Sequence, residues 1–156
     1  MPTKPQTLEK HRDQNLRRLL AAATRALNRR ITEELRRRGY KDTRPGHAAL
    51  LANLDFSGNS VTEIAERAQI SKQAMARLAV ELEEMGIIAR RVDGEDKRAL
   101  SVSFTRLGKE LIRSTVTIVD QAERDLAREI GTRSMTSLKR SLAAITHLDP
   151  SRSKRR

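Results

Sequence analysis

Three features of the sequence predict a mainly α protein, built on a helix-turn-helix with a two-stranded wing and flanked by long terminal helices. Helix start signals and apolar three- and four-residue spacing recur closely over residues 60–85. The pattern changes to period two just after Gly86. Long apolar stripes of helical period occupy both ends of the chain.

Composition supports the helical class. Of 156 residues, 33% are charged and 2% aromatic, and Ala, Leu and Arg are abundant while Pro (4) and Gly (7) are few. This length predicts one domain over residues 1–156. With no cysteine, disulfides, thiolate metal sites and cysteine redox switches are excluded. Met1 to Lys10 lacks the apolar core of a signal peptide, and no apolar run approaches the ~20 residues of a membrane span, so a cytoplasmic protein is expected.

The chain begins with a polar arm, residues 1–7, that contains two prolines and is expected to be flexible. A long helix follows over 8–38. Leu16, Leu19, Leu20, Ala23, Leu27, Ile31 and Leu35 form one stripe, with Arg17, Arg18, Arg25, Arg29 and Arg36 mostly outside it. Gly39 supplies the stop. At about 1.5 Å per residue this helix exceeds about 40 Å, longer than a small core needs, which suggests packing against a second subunit. Thr43 is expected to cap a second helix with Pro45 in its first turn and Ala48, Leu50, Leu51 and Leu54 on its apolar face. His47 is expected as a partly buried structural histidine, because no second ligand-type residue stands at a metal-site spacing.

Ser60-Val61-Thr62-Glu63 is a capping box that starts a short helix with Val61, Ile64, Ala65 and Ala68 inside. The small Ala65 allows a following helix to cross closely. After a turn through Gln69 and Ile70, Ser71 caps a longer helix to Met85. At about 100° per residue, Ser71, Leu78, Ala79 and Leu82 share the face of Met75, and Gln73, Arg77, Val80 and Glu84 lie opposite. Its outer surface is split in charge. Lys72, Gln73, Ala76 and Arg77 occupy the N-terminal half, while Glu81, Glu83 and Glu84 in the C-terminal half would repel phosphate.

That polarity suits a recognition helix entering the major groove by its first turns. Gln73 matches an adenine edge, Arg77 a guanine edge, and Ala76 a thymine methyl. An ordinary solvated helix face remains the alternative. Beyond Gly86, Ile87-Ile88-Ala89 precedes Arg90-Arg91, and Leu100, Val102 and Phe104 alternate with Ser101 and Ser103, predicting two strands. The polar tip 93–98 is expected to project, with Arg98 a minor-groove candidate that Asp96 can orient.

Thr105 is expected to cap a long helix carrying Leu107, Leu111, Ile118, Val119, Ala122, Leu126 and Ile130 to Gly131. A last helix bears Met135, Leu138, Leu142, Ile145 and Leu148, close to a heptad seam, before Asp149-Pro150. The helices of 105–148 therefore join that of 8–38 as dimerisation elements around a DNA-binding unit at 43–104. The basic tail, 149–156, is expected to be flexible.

The centre of the chain resembles the MarR family of winged-helix transcription regulators. The resemblance lies in Val61-Thr62-Glu63-Ile64-Ala65, Ile70-Ser71-Lys72-Gln73-Ala74-Met75, Leu82-Glu83-Glu84-Met85-Gly86-Ile87-Ile88, the wing residues Asp96-Lys97-Arg98, and Phe104-Thr105 followed by Gly108. It implies a homodimer on a palindromic duplex operator, acting as a repressor and released by a small aromatic or anionic ligand. It also implies that Lys72, Gln73 and Arg77 face the major groove and Arg98 the minor groove. Candidate DNA contacts are thus Ser71, Lys72, Gln73, Ala76, Arg77, Arg90, Asp96, Lys97 and Arg98. By the same resemblance, Tyr40, Arg44 and His47 are candidates for the ligand. Two departures stand out: Gln69 holds a turn position that is often Gly, and Phe104 replaces the usual Leu before Thr105.

Net charge does not decide the function. The total is +12, but 13 basic against 5 acidic residues give +8 over 1–44, and 7 against 9 give −2 over 45–104. The last segment, 105–156, has 12 against 6, or +6. The expected reader is the least basic part, so two alternatives stay open: a nucleoid-type protein that coats DNA without sequence preference, and a winged-helix adaptor that binds protein. An enzyme is not expected, because His11, His47 and His147 are scattered and neither a Gly-rich phosphate loop nor a metal-ligand spacing occurs. No cofactor, metal or membrane partner is expected. Tyr40, Phe56 and Phe104 are the only aromatics, too few for an RNA-stacking sheet.

Overall fold

The computed structural model describes residues 14–92 and 100–147. Asn15 caps the first helix, α1 (Leu16–Arg37), by accepting from the Arg18 amide at 3.1 Å, so among the described residues this helix starts at Leu16. It closes at Gly39, which takes φ +100°, with the Tyr40 amide on the Leu35 carbonyl and the Gly39 amide on that of Arg36.

The expected second helix is a 3₁₀ turn, Pro45–His47, running into a single helical turn, α2 (Ala48–Leu51). Thr43 does not cap it. Its hydroxyl donates back to the Tyr40 carbonyl at 2.7 Å, and the extended Arg44 precedes the turn, its amide donating to Nδ1 of His47 at 3.2 Å. A side chain already spent on the preceding loop is lost to the helix that follows it.

The Ser60/Glu63 box forms as expected: Ser60 Oγ accepts from the Glu63 amide at 3.2 Å, and the Glu63 carboxylate accepts from the Ser60 amide at 2.8 Å. That donation holds the carboxyl below its ordinary value. It starts α3 (Val61–Ala68), which crosses α4 (Lys72–Glu84). Ile64, Ala65, Met75, Ala79 and Leu82 are buried together with Leu50 of α2.

The sheet has three strands where the sequence predicts two. β1 (Asn59–Ser60) pairs antiparallel with β3 (Leu100–Phe104), which pairs antiparallel with β2 (Ile88–Val92), giving the order β1-β3-β2. Ile88 faces Phe104, and Arg90 faces Val102. Phe104 is buried and meets the exposed Phe56 with ring centroids 5.5 Å apart.

Thr105 joins the sheet to α5 (Arg106–Ile130): its hydroxyl accepts from the Gly108 amide at 3.0 Å and lies 2.6 Å from the Gly86 carbonyl. A Cβ at Gly108 would stand 2.0 Å from the Ile87 carbonyl oxygen, so this close strand-to-helix approach requires glycine. After Gly131 comes α6 (Thr132–His147).

The chain packs as two compact units, residues 1–116 and 117–156. In the second, Ile118 and Ala122 are buried, and Lys139 of α6 pairs with Glu123 of α5 at 2.6 Å. Apolar positions predicted for dimer contact stay open on both: Leu16, Leu19 and Leu27 on α1, and Leu138 and Ile145 on α6, are 37–58% exposed. No helix among the described residues is long and apolar enough to cross a membrane.

Candidate nucleic-acid interface

The turn before α4 sets the candidate interface. α3 closes with the Ile70 amide on the Ala65 carbonyl at 3.1 Å and the Gln69 amide on that of Glu66 at 3.3 Å. This is the pattern that closes α1 at Gly39, yet the left-handed position is filled by Gln69 at φ 55°, ψ 40°. It is the one non-glycine residue with positive φ among the described residues. The sequence poses a choice between strain at Gln69 and a different turn, and the chain takes the strain.

Ser71 then adopts the extended cap conformation, its hydroxyl accepting from the Ala74 amide at 3.2 Å. From this start Met75, Ala79 and Leu82 point into the core, while Lys72, Gln73 and Arg77 are exposed and Ala76 is half-buried. Arg77 has no hydrogen-bond or ion-pair partner among the described residues. The first two turns of α4 thus offer an amide-rich helix start, an ammonium, a carboxamide and a free guanidinium on one open surface.

The C-terminal half is arranged differently. Glu81 and Glu83, read from sequence as outward charges, are both tied to cations. Glu83 accepts from Arg90 Nε at 2.6 Å and from the Arg90 amide at 3.2 Å, anchoring the end of α4 to β2. Arg90, a predicted DNA contact, therefore has its guanidinium on a carboxylate, whereas its neighbour Arg91 is exposed. The Arg90 guanidinium holds the Glu83 carboxyl below its ordinary value.

Glu81 is the residue the sequence reading missed. Its Oε2 accepts from the Arg44 guanidinium and lies 3.0 Å from His47 Nε2. Arg44 first, then His47, hold this carboxyl low. His47 is 2% exposed and Nδ1 already accepts from the Arg44 amide, so Nε2 is the nitrogen that donates to Glu81. His47 is thus a satisfied buried histidine, as expected from the lack of a metal-site spacing. No group of three or more His, Cys, Asp or Glu able to hold a metal occurs among the described residues.

Of the three ligand candidates, Arg44 and His47 come together at Glu81. They line a groove between the 44–49 turn and α4, with Ile70, Ala74, Arg77 and Leu78. Tyr40 lines a separate groove beside Met85, Ile87 and Leu107. Asp96, Lys97 and Arg98 lie outside the described residues.

Comparison with known proteins places this geometry. Residues 41–99 match the MarR family model. The solved structure of MarR is 26% identical, with 85% of this chain and 95% of that chain covered and a TM-score of 0.74. A second structure, described as a MarR family transcription regulator, is 20% identical and covers 97% and 95%, with a TM-score of 0.68. A mutant of Staphylococcus aureus MepR bound to an oligodeoxyribonucleotide is 19% identical, covers 85% and 96%, and has a TM-score of 0.54. No curated protein matches the chain by sequence. The helix pair, its capped turn and the three-stranded sheet thus give a fold similar to that of these MarR structures, with the MarR family model matched over residues 41–99.

Proposed function

We propose that this protein is a sequence-specific transcription regulator that binds a palindromic duplex operator as a homodimer and represses by occupying it. The observation that carries this reading is the first half of α4: a capped helix start presenting Lys72, Gln73 and an unpaired Arg77 on one open face. Arg77 meets a guanine edge, Gln73 an adenine edge, and Ala76 a thymine methyl, while Lys72 and the Ser71 turn meet phosphate. Arg91 extends the contact, and Lys97 and Arg98, which lie outside the described residues, are expected from the sequence to add to it. Arg90 acts through Glu83, fixing the wing to α4.

Dimerisation is supported by the uncovered apolar positions of α1 and α6, since large aliphatic side chains repeated along long helices gain by mutual burial. The oligodeoxyribonucleotide held by the structurally similar MepR mutant supports the DNA partner. Release by a small anionic or aromatic compound is assigned to the groove at Arg44 and His47, where an arginine rim stands over Ile70 and Leu78.

Selection from random duplexes, with sedimentation of the free protein, tests the proposal. A dimer that enriches an inverted repeat of half-sites about 10 bp apart is the expected result. Binding that enriches no sequence and collapses with salt would instead indicate the nucleoid-type reading. A folded dimer that ignores DNA at low salt would favour the adaptor.

A further inference from the structure

We propose that Glu81 is a positioning residue for Arg77. Held by Arg44 and His47, its carboxylate is withheld from the guanidinium one helical turn earlier, and Arg77 is thereby left free to meet DNA. The inference rests on the reading of Arg77 as a base contact given above.

Residues 77 and 81 stand at i and i+4 on α4, the spacing at which an arginine and a glutamate ordinarily pair. The protein contains its own comparison. Arg106 and Glu110 have the same order and spacing on α5, and they pair at 3.4 Å. Arg77 and Glu81 line one groove with Arg44 and His47, and do not pair.

The difference lies in what reaches Glu81 from outside its helix. A single oxygen, Oε2, takes both the Arg44 guanidinium and His47 Nε2. The imidazole is fixed in this role because its other nitrogen is committed to the Arg44 amide and the ring is buried. The 44–47 turn thus does two things: it docks on α4, and it occupies the acid that would otherwise compete with DNA for Arg77. An adjacent carboxylate shared with a DNA-contacting arginine weakens binding by neutralising its charge and turning its donors from the base edge. Arg44 and His47 act on operator binding through Glu81, without touching DNA.

The test is a reversal experiment on the full-length dimer. Operator affinity is measured at low salt for wild type, Arg77→Ala, Arg44→Gln, Glu81→Gln, and the Arg44→Gln/Glu81→Gln pair, each with its melting temperature and with single-base operator variants. The Arg44 side chain is 56% exposed, and the melting temperature checks that its replacement leaves the fold intact. Arg44→Gln is expected to weaken binding about two- to fourfold, the range of a partly screened helix ion pair. The loss should fall at the base pair whose preference Arg77→Ala relaxes, and adding Glu81→Gln should restore it.

A loss that Glu81→Gln does not reverse, or one spread evenly over all operator variants, would mean that Arg44 meets DNA itself and overturns the proposal. So would unchanged binding by Arg44→Gln. Should Arg77→Ala alone leave affinity and base preference unchanged, the base-contact reading fails and takes this inference with it. A specific loss in Arg77→Ala without reversal in the pair removes only the role of Glu81.

Discussion

The two halves of α4 are one continuous helix with opposite uses of charge. In the first half, Lys72, Gln73 and Arg77 face outward and none pairs with an acid among the described residues; in the second, Glu81 and Glu83 are clamped by Arg44, His47 and Arg90. The same helical repeat therefore produces an open surface, proposed above as the reader, and a mounting surface. An acid-rich segment is compatible with approach to phosphate when its carboxylates are spent on neighbouring elements, and regional net charge is a poor guide to which face binds.

Several substitutions would break or sharpen this contrast. Leu82→Ala, at a fully buried position of the mounting half, is expected to cost ~2–5 kcal/mol of stability, read as a shifted urea midpoint, with operator affinity of the folded fraction unchanged. Arg77→Ala should do the opposite: a binding loss of ~1–3 kcal/mol at one base position and a melting temperature close to wild type. Ser71→Ala removes the cap at the start of the first half and is expected to cost about 1 kcal/mol in stability. Gln69→Gly should stabilise slightly, by ~0.5 kcal/mol, because relief of left-handed strain outweighs the added freedom of the unfolded chain. A falling midpoint in Gln69→Gly would mean that the side chain compensates for its backbone.

Acid should act on the mounting half. Glu81 and Glu83 are held below their ordinary value of 4.5 by their cations. As pH falls, the unfolded chain takes up protons first, so this stabilisation is complete above about pH 4.5–5 and is lost as pH drops through the lower native values. Denaturation midpoints from pH 7 to 3 should show less acid sensitivity in Glu81→Gln/Glu83→Gln than in wild type.

Much of this was legible in the sequence because it is local. The Ser60/Glu63 box, the Ser71 cap and the inner face Met75-Ala79-Leu82 depend on residues three to four apart, where spacing implies contact. Gln69 was marked by its place in a turn that favours glycine. What escaped joins distant segments. Glu81 meets His47 and Arg44 across 34 and 37 residues, and no local spacing announces such a pair. β1 is two residues of loop-like composition that become a strand only through Val102 and Ser101 of β3. Thr43 satisfies every local rule for a cap, yet the Tyr40 carbonyl behind it claims the hydroxyl. Arg90 is expected on DNA because it is basic and near the wing; the Glu83 carboxylate that its guanidinium meets is brought to it by the fold.

The most direct measurement is the affinity of Arg77→Ala for its selected operator, base pair by base pair, beside that of Glu84→Gln, an exposed acid on the mounting half. The expected result is a preference flattened at one position of each half-site for Arg77→Ala and an unaltered preference for Glu84→Gln. Equal profiles for Arg77→Ala and wild type would contradict the assignment of the first half of α4 as the reader.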